Sequence, residues 1–457
     1  MHLFILALAM QCILPIFDLS SADFFGLSLV NRDAQVREFT VTATPADGAN
    51  PRTNRLTVGA VGQRALLLSE LFPPSGLSSG ALTIDSTAGD CPVYTTLGSS
   101  QALTGTDGAT VFSDSIYLPH IEVNTGFVEL AHTDTVVGII NSTTASTSVT
   151  VQLVNFDGTV RGSTVTFIPG KGTSIFRISE SFQQVLPNNS LGGKTFQGYA
   201  RVRGFVGLAA WQRIDTPLSS ALIRGRAAEE IVGASVAMIP HFVFGGTYGS
   251  SINLINVGTN SVLLELSAND ESGNRIGETV ELTLHPGQGK RAAVGELFRV
   301  AIPAIFPPPV ITGYIRIRER LGATFRLAGD IEISNLQGAG KQSSMLAAIS
   351  DSVSGNWLVP FVSSESGYFT GYAIANPNEL LTVQTDVTIQ IVNPDGTIHS
   401  TTRVSLSPRS RTTAMIPPGI ATGYLRITAN MPIHVLGAIG TVDGRLLKAI
   451  PALPNSP

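Results

Sequence analysis

The sequence predicts an all-β protein made of about four tandem antiparallel β-sandwich repeats. Three observations point there: a turn-rich composition, a period near 120 residues, and short runs in which apolar and polar residues alternate. The 457 residues include 46 Gly and 26 Pro, and only 14% are charged against 43% hydrophobic. That balance suits many short strands joined by turns better than long charged helices. A chain of this length exceeds one ordinary domain, so several separate cores are expected.

The period is read from Leu118-Pro119-His120, which returns as Ile239-Pro240-His241 and Val359-Pro360-Phe361, the prolines lying 121 and 120 residues apart. A recurrence of this kind sets architecture before any motif is weighed. It divides the chain into repeats at 23–118, 119–238, 239–358 and 359–457, after a leader at 1–22. Within each repeat an apolar strand ends at an asparagine (Asn31, Asn141, Asn256, Asn376), and a turn follows at Asp47-Gly48, Asp157-Gly158, Ser272-Gly273 or Asp395-Gly396. Between them, Val149, Val151 and Leu153 alternate with polar residues and define one face of a half-buried strand. Asp-Gly then suits a hairpin, because glycine tolerates positive φ.

A short element follows at Ser69-Glu70-Leu71-Phe72, Ser179-Glu180-Ser181-Phe182 and Gly295-Glu296-Leu297-Phe298. One helical turn is expected there, its aromatic residue plugging the open end of the sandwich. The fourth repeat passes from Pro417-Pro418-Gly419 directly to its next strand and is expected to be shortened. That strand is the most distinctive recurrence: Gly198-Tyr199-Ala200-Arg201, Gly313-Tyr314-Ile315-Arg316 and Gly423-Tyr424-Leu425-Arg426, with a degenerate Gly80-Ala81-Leu82-Thr83 in the first repeat. About seven or eight strands per repeat complete an antiparallel sandwich. In this architecture the chain resembles the tandem immunoglobulin-like or fibronectin type III-like arrays of bacterial secreted and surface proteins. The resemblance covers nearly all of the chain after the leader, without the immunoglobulin Cys…Trp…Cys spacing, and implies a spacer, adhesion or matrix role.

The start of the chain, with its apolar run Leu3 to Ile13 and Ser20-Ser21-Ala22, reads as an export signal cleaved after Ala22; a hydrophobic first strand is the alternative. Once that segment is removed only Cys91 is left, so no internal disulfide is expected. Cys91 then reads as a buried small hydrophobe, with a reactive or intermolecular thiol as the alternative. No later apolar stretch is long enough to span a bilayer. A net charge of −4 gives no field that would gather nucleic acid or anionic membrane. His-Glu-x-x-His and Cys-x-x-Cys are absent from the sequence, and no enzyme, metal or cofactor is expected. Gly338-Ala339-Gly340-Lys341 lacks the remaining residues of a phosphate-binding loop and reads as a polar hairpin. His120 and His241, at equivalent places after a proline, read as packing or linker residues, and the Asp-Gly turns read as turns without calcium.

Strand alternation puts Tyr199, Arg201 and Arg203, Tyr314, Arg316 and Arg318, and Tyr424 and Arg426 on one outward face. Rigid amphipathic tyrosines and forked arginines are favoured at interfaces, so this stripe is the candidate interaction surface; a solvated sheet face is the plainer reading. The functional expectation is a secreted, non-enzymatic structural or adhesive protein whose repeats meet a cell-surface protein, a polysaccharide or copies of itself. The alternative is a carbohydrate-binding or accessory module of a secreted enzyme system.

Overall fold

The computed structural model describes residues 10–16, 23–73, 77–86, 90–99, 102–126, 132–190, 192–302, 308–337, 340–379 and 383–454. The chain is all-β, and every strand ladder in it is antiparallel. The first set of strands is β1 (Met10–Ile16), β2 (Phe24–Val30), β3 (Arg37–Pro45), β4 (Arg52–Val58), β5 (Gln63–Leu67), β6 (Gly80–Ser86), β7 (Val93–Gly98) and β8 (Leu103–Asp107), with one helical turn, α1 (Leu68–Leu71). The second is β9 (Ser113–Asn124), β10 (Asp134–Asn141), β11 (Thr147–Val154), β12 (Val160–Ile168), β13 (Thr173–Arg177), α2 (Ile178–Ser181), β14 (Thr195–Asp215), β15 (Ser220–Arg224) and β16 (Arg226–Ala227). The third is β17 (Val236–Phe244), β18 (Tyr248–Asn256), β19 (Val262–Asn269), β20 (Arg275–Leu284), β21 (Gly289–Ala293), α3 (Val294–Leu297), β22 (Ile311–Glu319), β23 (Leu327–Gln337) and β24 (Gly340–Ala348). The fourth is β25 (Ser354–Val362), β26 (Tyr368–Ala375), β27 (Thr385–Val392), β28 (Ile398–Leu406), β29 (Arg411–Met415), β30 (Gly423–Thr441), β31 (Leu447–Pro451) and β32 (Leu453–Pro454).

One topology recurs. The first set forms sheets β1-β6-β3-β4 and β5-β2-β7-β8, and the third forms β17-β22-β19-β20 and β21-β18-β23-β24. In the second and fourth sets a single long strand, β14 or β30, runs through both sheets and joins them. The sandwich alternation holds within each layer: in β11, Val149, Val151 and Leu153 are fully buried while Ser148 is exposed.

The strand-end asparagines explain their own recurrence. Each is buried, donates from Nδ2 to backbone carbonyls at the start of the next turn, and accepts from the backbone N–H two residues on. Asn141 bonds Ala145 O and Pro169 O at 2.7 and 3.1 Å and accepts from Thr143 N at 3.0 Å; Asn31, Asn256 and Asn376 act likewise. Such side chains satisfy buried backbone groups that no strand partner reaches.

Three expectations need correction. The boundary prolines lie inside first strands, β9, β17 and β25, where the ladder with the following Gly-Tyr strand slips at Pro119-His120, Pro240-His241 and Pro360-Phe361. Proline donates no ladder hydrogen bond, so a bulge is where a sheet accepts it. The fourth set is not shortened: it has the full complement of strands and lacks only the helical turn between β29 and β30. The apolar start is a strand too. β1 pairs with β6 from Met10↔Ser86 to Ile16↔Gly80, and Cys12, Leu14 and Ile16 are fully buried in the first core. Leu14-Pro15-Ile16 is the fourth copy of the proline motif, in the same strand position as Leu118-Pro119-His120. The expected cleavage site at Ser20-Ser21-Ala22 lies outside the described residues, and cleavage there would remove a core strand. With β1 retained, Cys12 and Cys91 are joined in a disulfide, their Cα atoms 6.1 Å apart, in place of the lone Cys91 thiol expected after removal of the leader.

The disulfide closes a loop long enough to constrain the unfolded chain strongly. Cys91→Ala is expected to lower stability by about 2–4 kcal/mol in urea denaturation. Peptide mapping of the unreduced protein should recover Cys12 linked to Cys91; a mature chain beginning at Asp23 would contradict the position of β1.

Candidate functional site

The four sets close into a ring. In each, the hairpin turn after the third strand reaches the turn before the fifth strand of the next set, and a backbone N–H there donates to a turn carbonyl. Thr173 N donates to Ala46 O (2.8 Å), Gly289 N to Phe156 O (2.8 Å), Arg411 N to Glu271 O (2.9 Å) and Gln63 N to Pro394 O (2.9 Å). The last of these joins the fourth set to the first. The receiving turn holds a residue in the left-handed region each time: Val61, Lys171, Gly287 and Arg409, at φ 51, 59, 78 and 57°. Within the ring the final strands meet: β8 lies against β15 and β31, and β24 against the same two.

This ring accounts for the predicted tyrosines. Tyr199 donates to Gly287 O at 2.7 Å, Tyr424 to Val61 O at 2.7 Å, and Tyr314 to Arg409 O, each on the following set. All three are 1% exposed and packed in small apolar clusters at the junctions. Burial pushes their hydroxyls up to about 12. The outward stripe is therefore corrected: period-two alternation identifies the face of a strand, but not that another set of strands covers it. The arginines are engaged as well. Arg201 bonds Gln152, Arg426 bonds Gln390 at the matching position, Arg318 pairs with Glu265 at 2.6 Å, and Arg316 pairs with Glu379; Arg203 is exposed. In the first set Ala81 stands where the tyrosine would be, inside an apolar cluster with Trp211 and Leu222.

Bulges re-aim side chains, and the residue after each boundary proline illustrates it at the junctions. His120, fully buried, meets Asp330 through Nδ1 (3.2 Å) and Glu122 through Nε2 (3.4 Å). Asn253 donates to Asp330 at 2.8 Å, Arg291 reaches Glu122 at 2.9 Å and Glu332 at 3.4 Å, and Lys341 reaches Glu332 at 2.6 Å. Glu122, Arg291, Glu332 and Lys341 line a cavity of about 750 Å³ between the second and third sets. Burial and Arg291 oppose the imidazolium, yet Asp330 and the hydrogen bonds to Asp330 and Glu122 outweigh them and hold His120 above its ordinary value. Burial pushes the Glu122 carboxyl up, but the His120 hydrogen bond, Lys341 and Arg291 reverse this and hold it well below. Glu332 is lowered too, burial and Glu122 being outweighed by Lys341, His120 and Arg291.

His120, Glu122 and Glu332 bring ligand atoms within 4.8 Å of one another, as a metal site would. Their carboxylates are already engaged, however: Arg291 and Lys341 each reach both Glu122 and Glu332, and a divalent ion would have to displace them. The arrangement is a buried ion-pair network tying two sets together. Sequence reasoning placed His120 as a packing residue and missed its partners, although Asp330 and Glu332 in the apolar run Leu327 to Leu336 are a signal, since lone charges in a buried strand need partners. Lys341, from the weak phosphate-loop motif, is committed to the glutamates; Gly338 and Ala339 lie outside the described residues.

His241, at the equivalent bulge, accepts from Arg411 Nη1 at 2.8 Å, and burial followed by Arg411 lowers it to about 3. His434, fully buried beside Ser350 Oγ at 2.7 Å, is lowered by burial to about 3.

No family model matches the chain, and no curated protein matches it. Among solved structures, a tetra-tandem repeat from the extending region of a large adhesion protein is 10% identical, covers 98% of this chain and 99% of its own, and has a TM-score of 0.12. A glycoside hydrolase family 32 protein from Bifidobacterium adolescentis is 8% identical, with 96% and 100% covered and a TM-score of 0.13. Neither likeness is close enough to bear on fold or function. No helix among the described residues is long and apolar enough to cross a membrane.

Tyr199→Phe, Tyr314→Phe and Tyr424→Phe should each cost about 1 kcal/mol in urea denaturation, because a junction carbonyl loses its partner. A histidine whose folded value lies below its unfolded one takes up protons more readily in the unfolded chain. Stability is thus full above pH 6.5 and falls as the pH drops toward about 3. His434→Gln should remove a loss on the order of 2–3 kcal/mol between pH 7 and 4.5, measured by thermal melts across that range.

Proposed function

We propose that the chain is an exported, non-enzymatic binding scaffold in which four β-sandwich repeats form one rigid closed ring, with recognition at the cavities between repeats. The observation that carries this reading is the Gln63–Pro394 closure at 2.9 Å, which makes the array a disc with defined clefts instead of an extensible spacer. Each junction bears a cavity, of about 280, 750, 450 and 400 Å³ in order around the ring. These sizes fall at or near the range of small-molecule sites. The disulfide supports export, since such bonds persist mainly in oxidising compartments. The partner classes remain a cell-surface protein, a polysaccharide or a second copy of the chain.

Opening the ring tests the reading. At Gly396, with φ 87°, an added Cβ would lie 2.7 Å from Ala60 O. Gly396→Trp is expected to expand the particle in small-angle scattering and to abolish saturable binding on glycan and surface-protein arrays, while wild type stays silent in ester, peptide and glycoside assays. Turnover by wild type that Glu332→Gln eliminates would overturn the proposal in favour of an enzyme.

A further inference from the structure

Lys448 lies in β31, 2% exposed, at the junction of the fourth and first sets. Its Nζ donates to Thr96 Oγ1 at 2.5 Å and sits 4.8 Å from the ring centre of Tyr94 and 5.6 Å from that of Phe361. Among the described residues no carboxylate lies within ion-pairing distance of it. An ammonium has three donors, so one hydrogen bond and two ring faces leave it short of both partners and counter-charge. Burial alone pushes the amine well below its usual value.

Thr96, Phe361 and Lys448 line a cavity of about 400 Å³ whose other walls include Phe24, Leu27 and Ile439. Ala65, Leu67 and Glu70, also on its lining, are exposed and give it a mouth. Lys341, at the second-to-third junction, is the informative contrast. It too lines a junction cavity, but Glu332 and Glu122 supply its counter-charges. At the fourth-to-first junction no carboxylate among the described residues pairs with Lys448; Glu70, at the cavity mouth, accepts from Leu67 N at 2.8 Å.

We infer that this cavity is a binding site for a small apolar monocarboxylate, the carboxylate meeting the Lys448 ammonium and the hydrocarbon lying against Phe24, Leu27 and Ile439. A charged hydrogen bond in a desolvated pocket gives such a ligand its orientation, and the apolar walls give it affinity. The site goes beyond the scaffold reading, because it names a ligand class for one junction and stands whether or not the ring binds a macromolecule.

Calorimetric titration of the intact protein with octanoate and with 1-octanol tests this directly. Octanoate should bind saturably at one site, about tenfold or more tighter than the alcohol. Lys448→Met keeps the length of the side chain and removes the charge; it should erase the preference while a melting curve confirms the fold. No saturable octanoate binding, equal affinity for the alcohol in wild type, or an undiminished preference in the variant would each overturn the assignment. The wild-type comparison of acid with alcohol decides the matter even where the variant fails to fold.

Discussion

The structure depends on one repeated backbone contact, a hairpin turn of one set pressed against a left-handed turn of the next. The contact needs a tight approach on both sides. A Cβ at Gly48 would lie 2.4 Å from Gly170 O, and one at Gly273 would lie 2.4 Å from Arg409 O. It also needs an unusual conformation on the receiving side. Val61, Lys171 and Arg409 hold positive φ without being glycine, and for a β-branched residue such as Val61 that is a costly conformation. Such turns persist only where their surroundings over-determine them. Here a backbone N–H two residues on is fixed by the neighbouring turn, and in three of four cases a buried tyrosine hydroxyl caps the turn carbonyl.

Because that frame recurs, the residues beside it are free to differ, and the junctions have separate chemistries. The position after the motif proline is Ile16, His120, His241 and Phe361 in turn. Ile16 stays in the core of its own set. His120 enters a network of ion pairs, His241 stands beside a buried arginine, and Phe361 faces Lys448, which pairs with no carboxylate among the described residues. The network joins its two sets through groups that are each costly to bury alone and tolerable together. The ring is thus held by backbone and tyrosine contacts, while a few side chains at each junction set its local chemistry.

Much of the local order was legible in the sequence. The asparagines, the Asp-Gly turns and the Gly-Tyr strands all mark real elements, because hairpin chemistry and period-two burial act over a few residues. The helical turns at Leu68, Ile178 and Val294 were legible for the same reason. What escaped was set by distance. Tyr424 finds its acceptor on Val61, 363 residues earlier, and alternation carries no information about which surface another part of the chain will cover. The first strand escaped for a different reason: an apolar run at a chain start fits both an export signal and a core strand, and Leu14-Pro15 was the discriminating copy of the motif.

Closure also changes what stability means for such a chain. In an open array each terminal repeat has a neighbour on one side only, so fraying begins at the ends. Here the fourth set meets the first through Gln63, whose Nε2 donates to Pro360 O and Gly423 O at 2.9 Å each, and through Tyr94, whose hydroxyl donates to Ala449 O at 2.7 Å. Opening any one junction therefore leaves every set still held by at least one neighbour, and releasing a set completely requires two junctions to fail together. Closing the loop costs chain entropy that grows only slowly with its length, whereas the junction it adds contributes a full set of backbone, tyrosine and apolar contacts. A cleft between two sets keeps its shape only while both are fixed, so the closing junction also holds the shape of the clefts.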